Sequence, residues 1–150
     1  MQITEHFSLE ELIASEVAAR KGIDNTPSAD IVANLRTLAA GLERVRVVLD
    51  KPIHVTSGYR CPALNEEIGG AHDSMHMQGL AADILCPRFG GPLEVCRAIA
   101  AAGIVTDQII HEFGRWTHVA FAAPGKQARN ALLTIASAAR GYQSGLNPIA

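Results

Sequence analysis

The sequence predicts an α+β fold in which N-terminal helices pack on a small, mainly antiparallel sheet. Apolar residues recur at every third or fourth position over residues 9–48, which is typical of amphipathic helices. After Pro52 the pattern changes to short apolar runs bounded by glycine and proline, which is typical of strands. A chain of 150 residues suits one domain, so we expect a single domain over residues 1–150, with a core at about 3–137 and a tail at 141–150.

Two helices are predicted in the first third of the chain. The first, over residues 8–22, begins with Ser8 and Glu11 at the spacing of a capping box and ends at a glycine. The second, over residues 28–50, begins with an N-cap serine and ends before a proline, which cannot continue a helix.

The elements after Pro52 are predicted to be shorter. Strands are expected at 53–56, 80–85, 108–113 and 116–121. Helices are expected at 63–68 and 92–102, with a loop at 71–78 between them. Helix propensity favours a helix over 127–139, although 131–136 is also compatible with an edge strand, and the tail from Gly141 is predicted to be a loop.

The composition argues against several classes of protein. The 13 basic and 15 acidic residues give no general attraction for nucleic acid. No apolar run approaches the ~20 residues needed to span a bilayer, so we expect no stable membrane insertion. The first six residues lack the features of a signal peptide, which indicates synthesis in the cytoplasm. The three widely spaced cysteines argue against a disulfide framework and against a thiolate zinc site.

The chemistry of the sequence is concentrated in histidines and carboxylates of its second half. Asp83 lies in an apolar strand, and a buried carboxylate needs a partner or a metal ion. His76 precedes it in a glycine-containing loop, and His118 lies in another apolar strand close to Glu112. Two histidines and a carboxylate, with a further glutamate as a base, are the set that a hydrolytic zinc site requires. The spacing alone leaves open whether these residues bind a metal.

Four segments resemble those of a known family. The pattern Ser-x-His-x-x-Gly-x-Ala-Ala-Asp at 74–83 resembles the first metal motif of the zinc D-Ala-D-Ala carboxypeptidase superfamily. This superfamily includes phage L-alanyl-D-glutamate endopeptidases, vancomycin-resistance dipeptidases and the hedgehog amino-terminal domain. The other similar segments are the turn at 57–65, the closing motif at 112–118 and the opening at 5–11. The resemblance covers roughly residues 3–122 and implies the hedgehog/D-Ala-D-Ala peptidase fold.

The resemblance implies a centre with one zinc ion. His76, Asp83 and His118 would bind it, and Glu112 would be the catalytic base. Several relatives place the acidic base three residues before the last histidine, where this chain has Arg115. A hairpin could still bring Glu112 beside His118. The alternative for Glu112 is a solvated hairpin residue that pairs with Arg115.

The resemblance also implies residues that contact the substrate. Arg60 would polarise the scissile carbonyl, or would simply brace its turn by pairing with a carboxylate such as Asp83. Ser74 would hydrogen-bond the substrate or steady the metal loop. Trp116 would form a wall of the cleft or pack in the core. His72 would be exposed or would touch the substrate.

The resulting hypothesis is a zinc-dependent peptidase that hydrolyses peptidoglycan stem peptides, as a D-Ala-D-Ala carboxypeptidase or an L-Ala-D-Glu endopeptidase. Such a protein would act on the cell wall as a monomer, after holin-type release as a phage or prophage endolysin, or as a virion component. Two alternatives remain open. One is a zinc-stabilised binding module of the same fold without catalysis, and the other is a cytosolic peptidase that acts on recycled muropeptides.

Overall fold

A six-stranded open sheet forms the centre of the fold in the computed structural model, which describes residues 1–150. The strands are β1 (His54–Ser57), β2 (Ala81–Leu85), β3 (Gln108–Glu112), β4 (Trp116–Ala120), β5 (Ala131–Ile135) and β6 (Tyr142–Ser144). The helices are α1 (Leu9–Ile13), α2 (Glu16–Lys21), α3 (Ala29–Leu49), α4 (Pro62–Glu67) and α5 (Pro92–Ala101), and Met75–Gln78 forms a 3-10 turn. The predicted α+β class is confirmed.

The helix predicted over residues 8–22 covers the right residues, but the structure divides it into two helices. Ser8 and Glu11 form the predicted capping box, and Gly22 ends the segment in the left-handed region at φ 66°. The single predicted helix is broken into α1 and α2, because Ala14 adopts an extended backbone conformation and the Ser15 hydroxyl accepts a hydrogen bond from the amide of Ala18. A serine in that position begins a new helix instead of continuing the old one.

The long helix α3 covers one face of the sheet, as its apolar periodicity predicts. Ser28 caps its start, and Asp50 ends it in the left-handed region. Gly41 allows the ring of Phe121, which follows β4, to approach the helix closely. A β-carbon at residue 41 would lie 2.5 Å from that ring. Alternation along the strands directs Ile84, Ile109 and Val119 into this helix-covered core.

The sheet is antiparallel except at one pair of strands. Its strand order is β1-β2-β4-β3-β5-β6, and β5 runs parallel to β3. The helix predicted over 127–139 is therefore wrong, because residues 131–135 pair with the full length of β3. Pairing with a distant strand outweighs the weak local preference for helix. The loop predicted from Gly141 is also wrong in part, since Tyr142–Ser144 pairs with β5 and forms the sheet edge.

The other sequence-based elements agree with the structure to within a few residues. The loop predicted at 71–78 ends in the 3-10 turn, which Ser74 caps. The three cysteines are free, as predicted. None of the helices has both the length and the apolar character that crossing a membrane requires.

An ion pair between a buried aspartate and a largely exposed arginine holds the start of β5 against β3. The Asp107 side chain is almost fully buried, and its carboxylate accepts hydrogen bonds from the Arg129 guanidinium and from the Arg129 amide. The hydrogen bonds from Arg129 outweigh burial and hold the pKa of Asp107 below its usual value. The pair therefore contributes stability above the pKa of an unfolded aspartate, about 3.9, and this stability is lost as the pH falls through the folded-state pKa.

We expect Asp107→Asn to lower the free energy of unfolding at pH 7 by about 1–3 kcal/mol, because the arginine loses a charged partner. The difference from the wild type should shrink as the pH falls below about 4, where the wild-type carboxylate also becomes protonated. Urea unfolding at several pH values measures both effects. Glu16→Gln, which removes the exposed partner of Arg20, is the control and should change stability by less than about 0.5 kcal/mol. A difference that persists unchanged at acid pH would contradict the assignment.

Candidate metal centre and cleft

The predicted metal ligands lie together on the sheet face opposite the long helix. Asp83 on β2 is paired directly with His118 on β4, so that both side chains point to the same face. His76 comes from the 3-10 turn immediately before β2. One ligand atom from each of the three residues lies within 4.8 Å of the other two, and all three side chains are buried.

A backbone carbonyl fixes the orientation of His76. Its Nδ1 lies 2.7 Å from the carbonyl oxygen of Gly58, and an oxygen acceptor requires that Nδ1 carry the hydrogen. Nε2, which faces Asp83, is then the nitrogen that would bind a metal ion. Gly58 has no room for a side chain, since a β-carbon there would lie 2.2 Å from the carbonyl oxygen of Leu12 at the end of α1.

One oxygen of the Asp83 carboxylate lies close to both imidazole rings. This oxygen, Oδ1, lies 3.3 Å from His76 Nε2 and 3.1 Å from His118 Nδ1. Burial alone would raise the pKa of Asp83, but the two neighbouring histidines outweigh it and hold the pKa well below its usual range. Asp83 is therefore an anion in the interior of the protein, and it needs positive charge close to Oδ1.

These donors fit a zinc ion. Two imidazole nitrogens and one carboxylate oxygen form a ligand set of catalytic zinc sites. Ligand atoms that are each about 2.0–2.1 Å from a tetrahedral ion lie about 3.3 Å apart, close to the distances between Asp83 Oδ1 and the two nitrogens.

Glu112 lies beside this cluster, although six residues separate it from His118 in sequence. The β3–β4 hairpin brings Glu112 Oε1 to 3.6 Å from His118 Nδ1, and the glutamate side chain is 15% exposed. Its other oxygen, Oε2, accepts a hydrogen bond of 3.0 Å from Nε1 of Trp116. Burial, with the negative charge of Asp83, raises the pKa of Glu112. The alternative in which Glu112 is a solvated partner of Arg115 is therefore not what the structure shows.

Trp116 belongs to the wall of the cleft. It is the cross-strand neighbour of Glu112, and its ring contacts that of Phe113 edge to face at a centroid distance of 5.5 Å. Phe113 adopts a positive φ of 58°, as the tight turn into β4 requires. The indole thus orients the carboxylate and lines the space in front of it.

Arg60 is held in place by the turn that carries it. Its guanidinium donates to Ser57 Oγ and to Asn65 Oδ1, and its Nη2 lies 3.4 Å from Asp83 Oδ2. Asp83 therefore presents Oδ1 to the histidines and Oδ2 to the arginine. The bracing contact considered from sequence is present, and Arg60 also lines the cleft. Its role toward a substrate stays a prediction.

Ser74 and His72 are also predicted to contact the substrate, and only Ser74 lines the cleft. Ser74 lines the cleft, and its hydroxyl accepts a hydrogen bond from the His76 amide, which steadies the turn that carries the ligand. His72 is exposed and does not line the cleft, so no geometry supports a contact with substrate. His111 points to the opposite sheet face, as strand alternation predicts.

The cleft in front of the cluster has a volume of about 690 Å³ and extends well beyond the predicted residues. Sequence reasoning missed the side chains that come from strands β3, β5 and β6 and from the segment before β5. They are Gln108, Ile110, Arg129, Leu133 and Tyr142. Alternation along β3 could have indicated the first two, because they share a face with Glu112. The others depend on the pairing of β5, which local sequence does not indicate.

A comparison with known protein families agrees with this geometry. Residues 5–120 match the family described as Peptidase M15, and this range contains His76, Asp83, Glu112 and His118. No curated protein matches the chain.

We expect the protein to bind one equivalent of Zn²⁺, and we expect His118→Ala to weaken this binding by at least about 100-fold, because it removes one of three ligands. Calorimetric titration of metal-free protein with Zn²⁺ at constant pH measures the affinity. His72→Ala is the matched control, since it removes an exposed histidine four residues from His76 and should leave the affinity unchanged. Equal losses in the two variants would show that the site lies elsewhere.

Proposed function

Because this chain belongs to the peptidase M15 family, which is zinc-dependent, we propose that it is a zinc peptidase that hydrolyses the stem peptides of peptidoglycan. Family membership supports a metallopeptidase with a peptide-type substrate, and His76, Asp83 and His118 could bind its metal. The observation that carries the proposal is the convergence of two imidazoles on Asp83 Oδ1 with a partly buried glutamate next to them. The motifs that resemble phage endopeptidases and D-Ala-D-Ala peptidases support the choice of substrate.

The site divides the chemistry among its residues. His76, Asp83 and His118 would hold the zinc ion, which when bound polarises a carbonyl and lowers the pKa of water to about 7. Glu112 can accept a proton at Oε1, because Oε2 is occupied by the Trp116 indole. The same carboxyl group can then give the proton to the leaving amine.

Positive charge for the oxyanion comes from the turn after β1. Arg60 is fixed by Ser57, Asn65 and Asp83, so that little side-chain freedom is lost when a substrate carbonyl arrives. Burial strengthens its interaction with a developing negative charge. Arg60 is therefore proposed to stabilise the tetrahedral state.

The bond cleaved and the place of action belong to this proposal. Terminal D-Ala-D-Ala and L-Ala-D-Glu are both candidate bonds, and the likeness to phage enzymes favours action on the cell wall as an endolysin or a virion component. Mass spectrometry of muropeptides after digestion, with and without a chelator, distinguishes the possibilities. Loss of D-alanine indicates a carboxypeptidase, whereas a bare muramoyl-L-alanine end indicates an endopeptidase. Unchanged muropeptides under every divalent metal would exclude the proposed activity.

We expect Glu112→Gln to lower kcat by about 10²–10⁴-fold while one equivalent of zinc remains bound, because the amide cannot accept a proton. Mass spectrometry of digested muropeptides measures turnover, and elemental analysis measures the metal. Glu66→Gln, at an exposed position on α4, is the control and should behave like the wild type. Wild-type turnover in Glu112→Gln would assign the base to another residue. Wild-type protein that binds muropeptides without hydrolysing them would indicate a binding module instead.

We expect Trp116→Phe to move the acidic limb of the pH–rate profile to higher pH. The indole N–H donates to Glu112 and lowers the pKa of that carboxyl, so its removal raises the pKa, and the deprotonated base forms only at higher pH. Phenylalanine retains an aromatic ring beside Phe113. Measurement of kcat/KM between pH 4 and pH 8 detects the shift, and a limb that stays in place or moves to lower pH would contradict this role for the indole.

A further inference from the structure

The far wall of the cleft is built by residues outside the part of the chain that matches the peptidase family. The match ends at residue 120, whereas Leu133 on β5 and Tyr142 on β6 line the same cleft as His118 and Glu112. We refer to residues 131–144, which comprise β5, β6 and the turn between them, as the C-terminal hairpin. The family match therefore accounts for the proposed catalytic side chains and not for this wall.

Strand register directs the hairpin side chains to the proposed catalytic face. Leu133 is paired with Ile110, which is itself paired with the ligand residue His118. Ile135 is paired with both Glu112 and Tyr142. Directly paired residues project to the same face of a sheet, so Leu133 lies in the row of His118 and Tyr142 in the row of Glu112. The hairpin thus extends the catalytic surface by two strands.

The chain after β6 fixes the hairpin from the opposite face. The Thr134 hydroxyl donates to the carbonyl oxygen of Gly145 at 2.7 Å and accepts from the Asn147 amide at 2.9 Å. His111 Nδ1 lies 2.9 Å from the carbonyl oxygen of Asn147. At the cleft end, the Phe113 amide donates to the carbonyl oxygen of Ile135. These contacts make the hairpin a preformed wall.

Tyr142 is 59% exposed, although its aromatic ring is at the edge of an otherwise continuous cleft. An exposed tyrosine offers a large apolar face with few rotatable bonds, and its hydroxyl donates a hydrogen bond at neutral pH. Ile110 and Leu133, which line the same cleft, provide an apolar floor. Together they can take a small aliphatic side chain and a backbone carbonyl, the groups of an alanine-containing peptide.

We propose that the C-terminal hairpin is a substrate-binding wall of this cleft and that Tyr142 contacts the bound peptide through its ring and its hydroxyl. The proposal deepens the proposed function and rests on it, because it requires a peptide in front of the metal centre. It assigns a role in affinity and leaves the proton transfer to Glu112.

The chain contains its own probe for this contact. Trp116 is the single tryptophan, and it lines the cleft, so its fluorescence reports occupation by a ligand. We would titrate zinc-loaded Glu112→Gln protein with soluble muropeptides, because this variant should bind them without hydrolysis. The same titration is carried out on double variants that also carry Tyr142→Ala, Tyr142→Phe or Gln143→Ala. Gln143 is the matched control, because it is exposed on the same strand and is paired with Thr134, on the opposite face.

We expect Tyr142→Ala to raise the dissociation constant of the muropeptides by about five- to tenfold, Tyr142→Phe to raise it by about two- to fivefold, and Gln143→Ala to leave it unchanged. In the background with an intact Glu112, Tyr142→Ala should raise KM by a similar factor and change kcat by less than about twofold. Thermal unfolding checks that the variants fold. Equal affinities for Tyr142→Ala and Gln143→Ala, in a protein that hydrolyses muropeptides, would overturn the role of the hairpin and leave the proposed function standing. A protein that neither binds nor hydrolyses them would overturn both.

Discussion

The structure around the cleft depends on one constraint, the placement of an anionic carboxylate inside the protein. Asp83 has one oxygen within 3.3 Å of two imidazole nitrogens and the other 3.4 Å from a guanidinium. An isolated buried carboxylate would be protonated or would destabilise the fold, so all three partners must be held close to it. The metal-binding capacity of the site follows from the same requirement, because a divalent cation satisfies the carboxylate and both nitrogen lone pairs at once.

Each partner of Asp83 is positioned by a different part of the fold. Sheet register places His118 opposite Asp83, and the carbonyl oxygen of Gly58 sets the tautomer of His76. The hairpin between β3 and β4 then brings Glu112 to the edge of the cluster, where the Trp116 indole holds one of its oxygens. Rigid strands and backbone acceptors therefore define the geometry, which suits a site that must be organised before its substrate arrives.

The two halves of the cleft have different origins in the chain. The half that holds the proposed ligands and the proposed base lies within residues 5–120, which match the peptidase family. The other half comes from the C-terminal hairpin, which is attached to β3 by parallel pairing and by the Asp107–Arg129 ion pair. A separation of this kind would allow the wall proposed to face the substrate to vary while the proposed catalytic residues stay fixed.

Local patterns in the sequence determined the capped helices, most strands and the identity of the candidate ligands. Periodicity, capping residues and a carboxylate in an apolar strand each have short-range signals, and the motif around His76 and Asp83 is contiguous. Tertiary structure alone decided that residues 131–135 form a strand, that Tyr142 reaches the cleft and that Glu112 approaches His118 across a hairpin. These features arise from pairing between segments that are distant in sequence. The stabilisation from such pairing outweighs the small conformational preference of the local sequence, so local patterns do not predict it.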